Sequence, residues 1–334
     1  MTENISKPSL DDIKSALVKS GYLLEQRICQ PIASKGYTLY PNDQYEDDET
    51  GKSREIDLVA EKTYIIQGSK TVIISSHLVI EAKTNSYPVV LFLNEKGFSD
   101  PWIPYVNYPT SIKFTSKTAD RHTEISGKGP FAFYLGVFGF NEIFSNYKAA
   151  FQYGLLKPEK SRNNTAVQWS VKHEDLYDSF TGIVKAMHFH KRACYNTALR
   201  FAKHYKRNEL IVCDFIYPLV IFSGDIFTCK VDHHKQLHIE KEKDVFLYKR
   251  HTSKTIQDVF PLFTIAESDL NAFLKKVEIN LEAAIKTTTD FYLNGKATVK
   301  ALKTGDDDLD AILSERDTGA AVHVALPRRK SAKT

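Results

Sequence analysis

Two short runs of β-type sequence that carry charge constrain this chain most: Arg54-Glu55-Ile56-Asp57-Leu58-Val59-Ala60 and Leu78-Val79-Ile80-Glu81-Ala82-Lys83. Both are apolar enough to be core strands, and both hold acids where a buried strand should have none. Side chains alternate across a strand with a period of two. Leu78, Ile80 and Ala82 therefore share one face, and Val79, Glu81 and Lys83 the other. An unpaired charge inside an apolar sheet costs several kcal/mol, so Asp57, Glu81 and Lys83 must be paired, wet or bound to a metal. Glu55, beside Asp57, is expected to face away from it as a surface or inter-strand partner of Arg54 rather than a metal ligand.

The rest of the composition narrows the class without naming a partner. At 334 residues and 42% hydrophobic, the chain has enough apolar material for a large core. Its 45 basic and 41 acidic residues leave a net charge of +4, a mild excess that is far from the bias of a histone-like binder. The four cysteines, Cys29, Cys194, Cys213 and Cys229, form no Cys-x-x-Cys pair and no zinc-type spacing. A reduced, cytoplasmic protein is the expectation, and no apolar run approaches the roughly 18 to 20 residues that span a bilayer.

Along the chain, Ser9 and Asp12 predict a capping box. Leu10, Ile13, Leu17, Gly21, Leu24 and Ile28 then predict one amphipathic helix ending before Pro31, with Glu25 on its margin. A first strand follows at 36–41, and a long acidic hairpin connection at 42–51 leads into the Asp57 strand. The segments 63–66 and 71–75 are read as short β pieces around Gly68. The stretch 85–170 is crowded with aromatics, including Trp102, Tyr105, Phe131 and Phe138, and is read as a large insertion or lid. Its rings would make either a satellite core or a base-stacking surface.

A helix is predicted from His173 to Arg207, with Lys185, Lys191, Arg192, Arg200, Lys203, Lys206 and Arg207 among its apolar positions. Apolar strands follow at 210–215 and 219–222, split by Tyr217-Pro218. A hairpin is expected through Ser223-Gly224-Asp225 into 226–231, then a strand at 244–249 and a helix over 268–285. The domain expected is 1–286, with 287–334 a weakly ordered tail. Two minor candidates remain: His190 and Cys194, four apart on one helical face, as a weak zinc pair, and Asp232-His233-His234, read as a polar turn.

Hydrolysis of a phosphodiester needs an activated water, an oxygen-rich cage for a hard divalent cation and positive charge near the phosphorane-like transition state. Carboxylates on adjacent strands supply such a cage, and Mg²⁺ keeps several waters, so one or two of them suffice. Asp57 and Glu81 fit that role. Lys83, on the face of Glu81, can hold the attacking water and stabilise negative charge.

The helix bearing Glu25, then Ser53-Arg54-Glu55-Ile56-Asp57, then Glu81-Ala82-Lys83 on an apolar strand resembles the restriction-endonuclease-like PD-(D/E)xK nucleases. The resemblance implies an α/β fold whose central mixed sheet is flanked by helices, in the order helix, three strands, helix, strand. It implies Asp57, Glu81 and the carbonyl of Ala82 as metal ligands, Lys83 as the catalytic lysine and Glu25 as an accessory acid. Mg²⁺ is the implied cofactor, with Mn²⁺ as a substitute, and DNA the implied substrate, in restriction or defence against foreign DNA.

Ile56 stands where the motif has proline, and the helix 173–207 has no glutamine followed four residues later by tyrosine. RNA as substrate stays open, as does a nuclease-fold module that binds nucleic acid or a protein without cutting. The basic residues of the helix 173–207 would contact phosphates. The oligomeric state is open, a homodimer being one option.

Overall fold

A computed structural model describes residues 7–68, 71–93, 105–107, 113–118, 121–126, 148–159, 167–204, 210–292 and 298–302. The chain is a mixed α/β protein with a large mixed sheet flanked by helices. The capping box forms as expected: Asp12 N–H donates to Ser9 Oγ at 3.1 Å and Ser9 N–H to Asp12 Oδ2 at 2.9 Å. The single helix expected beyond it is two, α1 (Leu10–Lys19) and α2 (Tyr22–Ser34), because the chain turns at Gly21 with φ of 84°. That left-handed geometry suits glycine. Pro31 does not end α2 but lies inside it, at the cost of one helical hydrogen bond.

Three strands follow as an antiparallel meander: β1 (Thr38–Glu46), β2 (Ser53–Gln67) and β3 (Thr71–Lys83). The first half of the connection expected at 42–51 is strand, and the second half is a tight turn in which Asp47 Oδ1 accepts the Glu49 N–H at 3.0 Å. The short β pieces expected around Gly68 are the far ends of β2 and β3. They pair continuously from Gln67↔Thr71 to Leu58↔Ile80.

Within the aromatic-rich stretch, β4 (Val89–Leu93), β8 (Ala149–Glu159) and β9 (Gln168–Lys172) join the main sheet. Strand β5 (Tyr105–Asn107) also joins it, and β6 (Lys113–Thr118) pairs with β7 (Arg121–Ser126) separately. Tyr87, ahead of β4, packs edge-on against Trp169 of β9, and the other aromatics of that stretch beyond these strands lie outside the described residues. Tyr153 packs on Phe180 with ring centroids 4.4 Å apart, so this part of the stretch belongs to the core.

Helix α3 (Glu174–His204) precedes β10 (Leu210–Phe222), which lies parallel to β3 over its whole length. The two strands expected here are one. Pro218 is tolerated in its middle because β5 pairs β10 only to Ile216 and the next neighbour pairs from Leu219, so its missing N–H falls where the ladder is interrupted. The expected hairpin from β10 into 226–231 does not form. Strand β11 (Ile226–Val231) pairs instead with β4 and with β12 (Leu237–Glu242).

Strands β13 (Asp244–Thr252) and β14 (Gln257–Ala266), then α4 (Leu270–Tyr292) and β15 (Thr298–Leu302), complete the described chain. The sheet runs β1-β2-β3-β10-β14-β13-β8-β4-β11-β12, and β15 adds to β2 within the region expected to be tail. The rest of that region lies outside the described residues. No helix among the described residues is long and apolar enough to cross a membrane.

The two faces of the sheet are covered by different helices. Leu24, Ile28 and Ile32 of α2 and Phe273, Leu274 and Val277 of α4 bury against Leu58, Leu78, Ile80 and Leu219. Phe180, Ile183, Val184 and Met187 of α3 bury against Val59, Val79, Val220 and Phe222 on the other face. Full burial of each such side chain contributes about 1.5 to 3 kcal/mol, which fixes all three helices on the sheet. Glu25 on α2 and Ser179 on α3 are thereby carried to the same end of β3.

Candidate functional site

The site forms where β2 and β3 separate. Their pairing ends at Leu58↔Ile80, and in the gap beyond it Ala82 N–H donates to Asp57 Oδ2 at 2.6 Å. A distortion in β2 aims that carboxylate. Ile56 packs on the α3 side and Leu58 on the α2 side, so the period-two alternation slips by one residue at Asp57. Across β1, the register Pro41↔Leu58 and Asp43↔Ile56 sets Asn42 opposite Asp57, and Asn42 has φ of 52°. Neither face of the sheet claims Asp57; it points along the sheet toward β3.

The N–H and C=O of one strand residue point the same way. The Ala82 carbonyl therefore also points toward the gap, while the next residue points oppositely: Lys83 O accepts the Ser223 N–H at 3.2 Å on the β10 side. Glu81 lies on the α3 face, where the buried Ser179 hydrogen-bonds its carboxyl. Burial, followed by repulsion from Asp57, pushes the Glu81 carboxyl up to about 8, against the pull of Lys83. Burial also raises Asp57, with Ala82 N–H and Lys83 opposing, and raises Glu25, with Asp57 and Glu55 adding to the effect. Glu25, Asp57, Glu81 and Lys83 thus meet at one end of β3 within electrostatic reach of one another.

Glu55 is exposed, as expected from sequence, but it is not the partner of Arg54. Arg54 Nε instead donates to Asp47 Oδ2 at 3.1 Å, and Glu55 raises the carboxyls of both Glu25 and Asp57. The slip at Asp57 explains this, because it puts Glu55 on the α2 side, beside Glu25. A fourth acid therefore borders the site.

Partly buried carboxylates raised by one another, with one lysine among them, form a site short of positive charge. An all-oxygen donor set of this kind suits a hard divalent cation such as Mg²⁺. Asp57 Oδ1, free of the Ala82 bond, Glu81 and the Ala82 carbonyl are the atoms that would hold it. The residues present therefore fit the group the sequence implies.

The basic side chains of α3 are partly committed elsewhere. Lys185 Nζ lies 3.1 Å from Asp47 and 2.6 Å from Glu49, and Arg192 Nη1 lies 2.7 Å from Asp48. The acidic turn between β1 and β2 thus occupies cations expected to meet phosphate. Lys206 and Arg207 lie outside the described residues. Asp232 accepts the backbone N–H groups of His234 and Gln236, as a polar turn does. His190 faces Asp43 at 3.3 Å, while Cys194 faces His77 at 3.7 Å, so the two do not share a ligand site.

Sequence reasoning missed the group that Cys194 does join. His77, Cys194 and Asp214 bring one ligand atom each within 4.8 Å of the others. No local motif marks it, because its members stand on three separate elements. The chain matches no family model, no curated protein and no solved structure.

Proposed function

We propose that the chain is a Mg²⁺-dependent nuclease of the restriction-endonuclease-like PD-(D/E)xK kind, hydrolysing phosphodiester bonds of DNA. The observation that carries this is the meeting of Asp57, Glu81 and Lys83 at the gap between two antiparallel strands, with Asp57 bonded to the backbone of the strand that bears the other two. The element order supports the same reading: helix, a β1-β2-β3 meander, helix α3, and β10 parallel to β3.

In this reading Asp57, Glu81 and the Ala82 carbonyl would hold the cation, with Glu25 on α2 as an accessory acid beside them. A bound divalent cation would supply Lewis-acid stabilisation of the phosphate oxygens and a more acidic water. Lys83 is kept in place by the two carboxylates and donates hydrogen bonds to the attacking water and to a phosphate oxygen, where negative charge grows. Glu81 keeps its proton near neutral pH until positive charge enters the gap, so metal loading and its deprotonation are linked.

The test is incubation of the pure chain with circular DNA, linear DNA and RNA, in Mg²⁺, Mn²⁺ or EDTA, beside Asp57→Ala and Lys83→Ala. The expected result is cleavage of DNA that needs the metal and is lost in both variants. Cleavage that survives in both variants overturns the proposal.

A further inference from the structure

The second group lies on the α3 face of the sheet, away from the gap. Glu61 of β2 and His77 of β3 are direct cross-strand partners, Asp214 stands on β10, and Cys194 reaches down from the C-terminal half of α3. His77 and Glu81 point to the same face of β3 but are four residues apart, about 13 Å along a strand.

The geometry around His77 is directional. Its Nδ1 lies 3.3 Å from Glu61 Oε1, while its Nε2 lies 3.2 Å from Asp214 Oδ1 and 3.7 Å from Cys194 Sγ. The side chains of His77 and Asp214 are only 12% and 7% exposed. Without a metal the ring, charged at both nitrogens, donates to Glu61 and to Asp214. A metal that displaces the Nε2 proton would meet a ring nitrogen, a carboxylate oxygen and a sulfur together.

We propose that His77 Nε2, Cys194 Sγ and one Asp214 carboxylate oxygen form a three-ligand site for a borderline-soft divalent metal of the zinc class, separate from the oxygen-rich site at Asp57 and Glu81. Tetrahedral zinc, with bonds of about 2.0 to 2.3 Å, sets its N and O ligands about 3.3 Å apart and its N and S ligands about 3.6 Å apart. The separations from Nε2 here are 3.2 Å and 3.7 Å, and all three ligand atoms lie within 4.8 Å of one another, so at most small side-chain adjustments make them ligands. Glu61 on Nδ1 is the carboxylate that commonly orients a ligating histidine and raises its basicity.

The electrostatics agree. Burial alone would strip His77 of charge, yet Cys194, Asp214 and Glu61 hold its pKa well above the usual value, so the pocket favours a cation at the ring. Burial, partly offset by His77, raises the Cys194 thiol, and a metal at Nε2 would favour the thiolate it needs as a ligand. Such a metal would tie β3 and β10 to α3, with the fourth position left for water.

The experiment uses the intact chain, stripped with chelator and given one equivalent of Zn²⁺ or Co²⁺. Elemental analysis after dialysis, X-ray absorption on the zinc form and electronic spectra of the cobalt form are read together. The expected result is one zinc per chain with a single sulfur neighbour among nitrogen and oxygen, and a sulfur-to-cobalt charge-transfer band. That band should vanish in Cys194→Ser and persist in Asp57→Asn.

Metal retained with no sulfur neighbour, an unchanged band in Cys194→Ser, or no metal retained overturns the proposal. In the last case His77 is a buried imidazolium clamped between Glu61 and Asp214. X-ray absorption on the unaltered chain decides the matter even if the variants fail to fold. None of these readouts measures DNA cleavage, so the nuclease reading and the zinc site can fail independently.

Discussion

Asp57 is fastened to Ala82: its Oδ2 accepts the Ala82 N–H at 2.6 Å, in the position a neighbouring strand's carbonyl would occupy had β2 and β3 stayed paired. The bond sets the distance between the carboxylate on one strand and Glu81 and Lys83 on the next. It also leaves one Asp57 oxygen for other work. Asp57→Asn keeps an acceptor for Ala82 but loses the charge, whereas Asp57→Ala loses both. Both variants are expected to lower DNA cleavage by on the order of 10²-fold or more. Only the alanine should also lose stability, by about 1 to 2 kcal/mol for an orphaned N–H. Plasmid nicking and urea unfolding measure the two effects separately.

Glu81 makes stability depend on pH in a direction opposite to that of an ordinary salt-bridged acid. Its folded carboxyl is pushed up to about 8, above the 4.5 of an unperturbed glutamate. Between those values the folded state binds more protons than the unfolded one, so its stability is fully present below about 4.5 and declines as pH rises through about 8. In EDTA the urea midpoint should therefore fall across this window, and Glu81→Gln should flatten the fall. Added Mg²⁺ should restore the midpoint at the alkaline end in the parent and not in the variant. A parent midpoint that stays level across the window would contradict the burial of this carboxyl.

Arg192 and Lys185 behave differently from what a basic helix leads one to expect. Arg192 is held by Asp48, and Lys185 is shared by Asp47 and Glu49, with Glu49 pushed down to about 2 chiefly by its hydrogen bond to Lys185. Arg192→Ala is expected to change DNA affinity by no more than about twofold and to leave the salt slope as it was. A slope shallower by about one would mean that Arg192 leaves Asp48 for a phosphate. Fluorescence anisotropy against a salt series in Ca²⁺ or EDTA gives both numbers.

Asp47 is the hub of that turn, with its side chain fully buried while it accepts from Glu49, Arg54 and Lys185. Asp47→Ala should cost about 2 to 3 kcal/mol, because it leaves Lys185, itself only 13% exposed, with one carboxylate fewer. Lys185→Met should cost less, since it removes the charge together with its need for partners. Urea unfolding of the two variants gives the order.

The charged strands were legible in sequence because β2 and β3 combine apolar runs with acids that have no place in a core. The capping box at Ser9 was legible because it is local. What escaped depended on contacts between distant elements. The α1–α2 break rests on the φ of one glycine, which helical spacing does not register. Pro218 fits in β10 only because two neighbours leave the same place unpaired. That the exposed Glu55 also borders the site was hidden, because the slip at Asp57 that sets it on the α2 side breaks the period-two alternation. Asp214 stands among apolar residues of β10 and His77 follows two serines on β3, so nothing local marks either, and the parallel register of β3 with β10 is what sets them side by side near Cys194.

Glu25 separates an accessory role from an essential one. It approaches the site only because the chain turns at Gly21, where φ is 84°, and starts α2 afresh with Glu25 in the first turn. As an accessory acid beside the cation, it should matter most when metal is scarce. Glu25→Gln is expected to lower cleavage about tenfold at limiting Mg²⁺ and to recover at high Mg²⁺, whereas Asp57→Asn should not recover. Gly21→Ala tests the placement without touching the charge. The added Cβ meets nothing closer than Thr84 Oγ1 at 3.7 Å, so the cost is backbone strain of about 1 to 2 kcal/mol. If that strain reorients the first turn of α2, Gly21→Ala should show the same Mg²⁺-rescued defect as Glu25→Gln, and the double variant should be no worse at limiting Mg²⁺ than either alone. Independent, multiplying losses would mean that Glu25 and the Gly21 turn act on the site by separate routes.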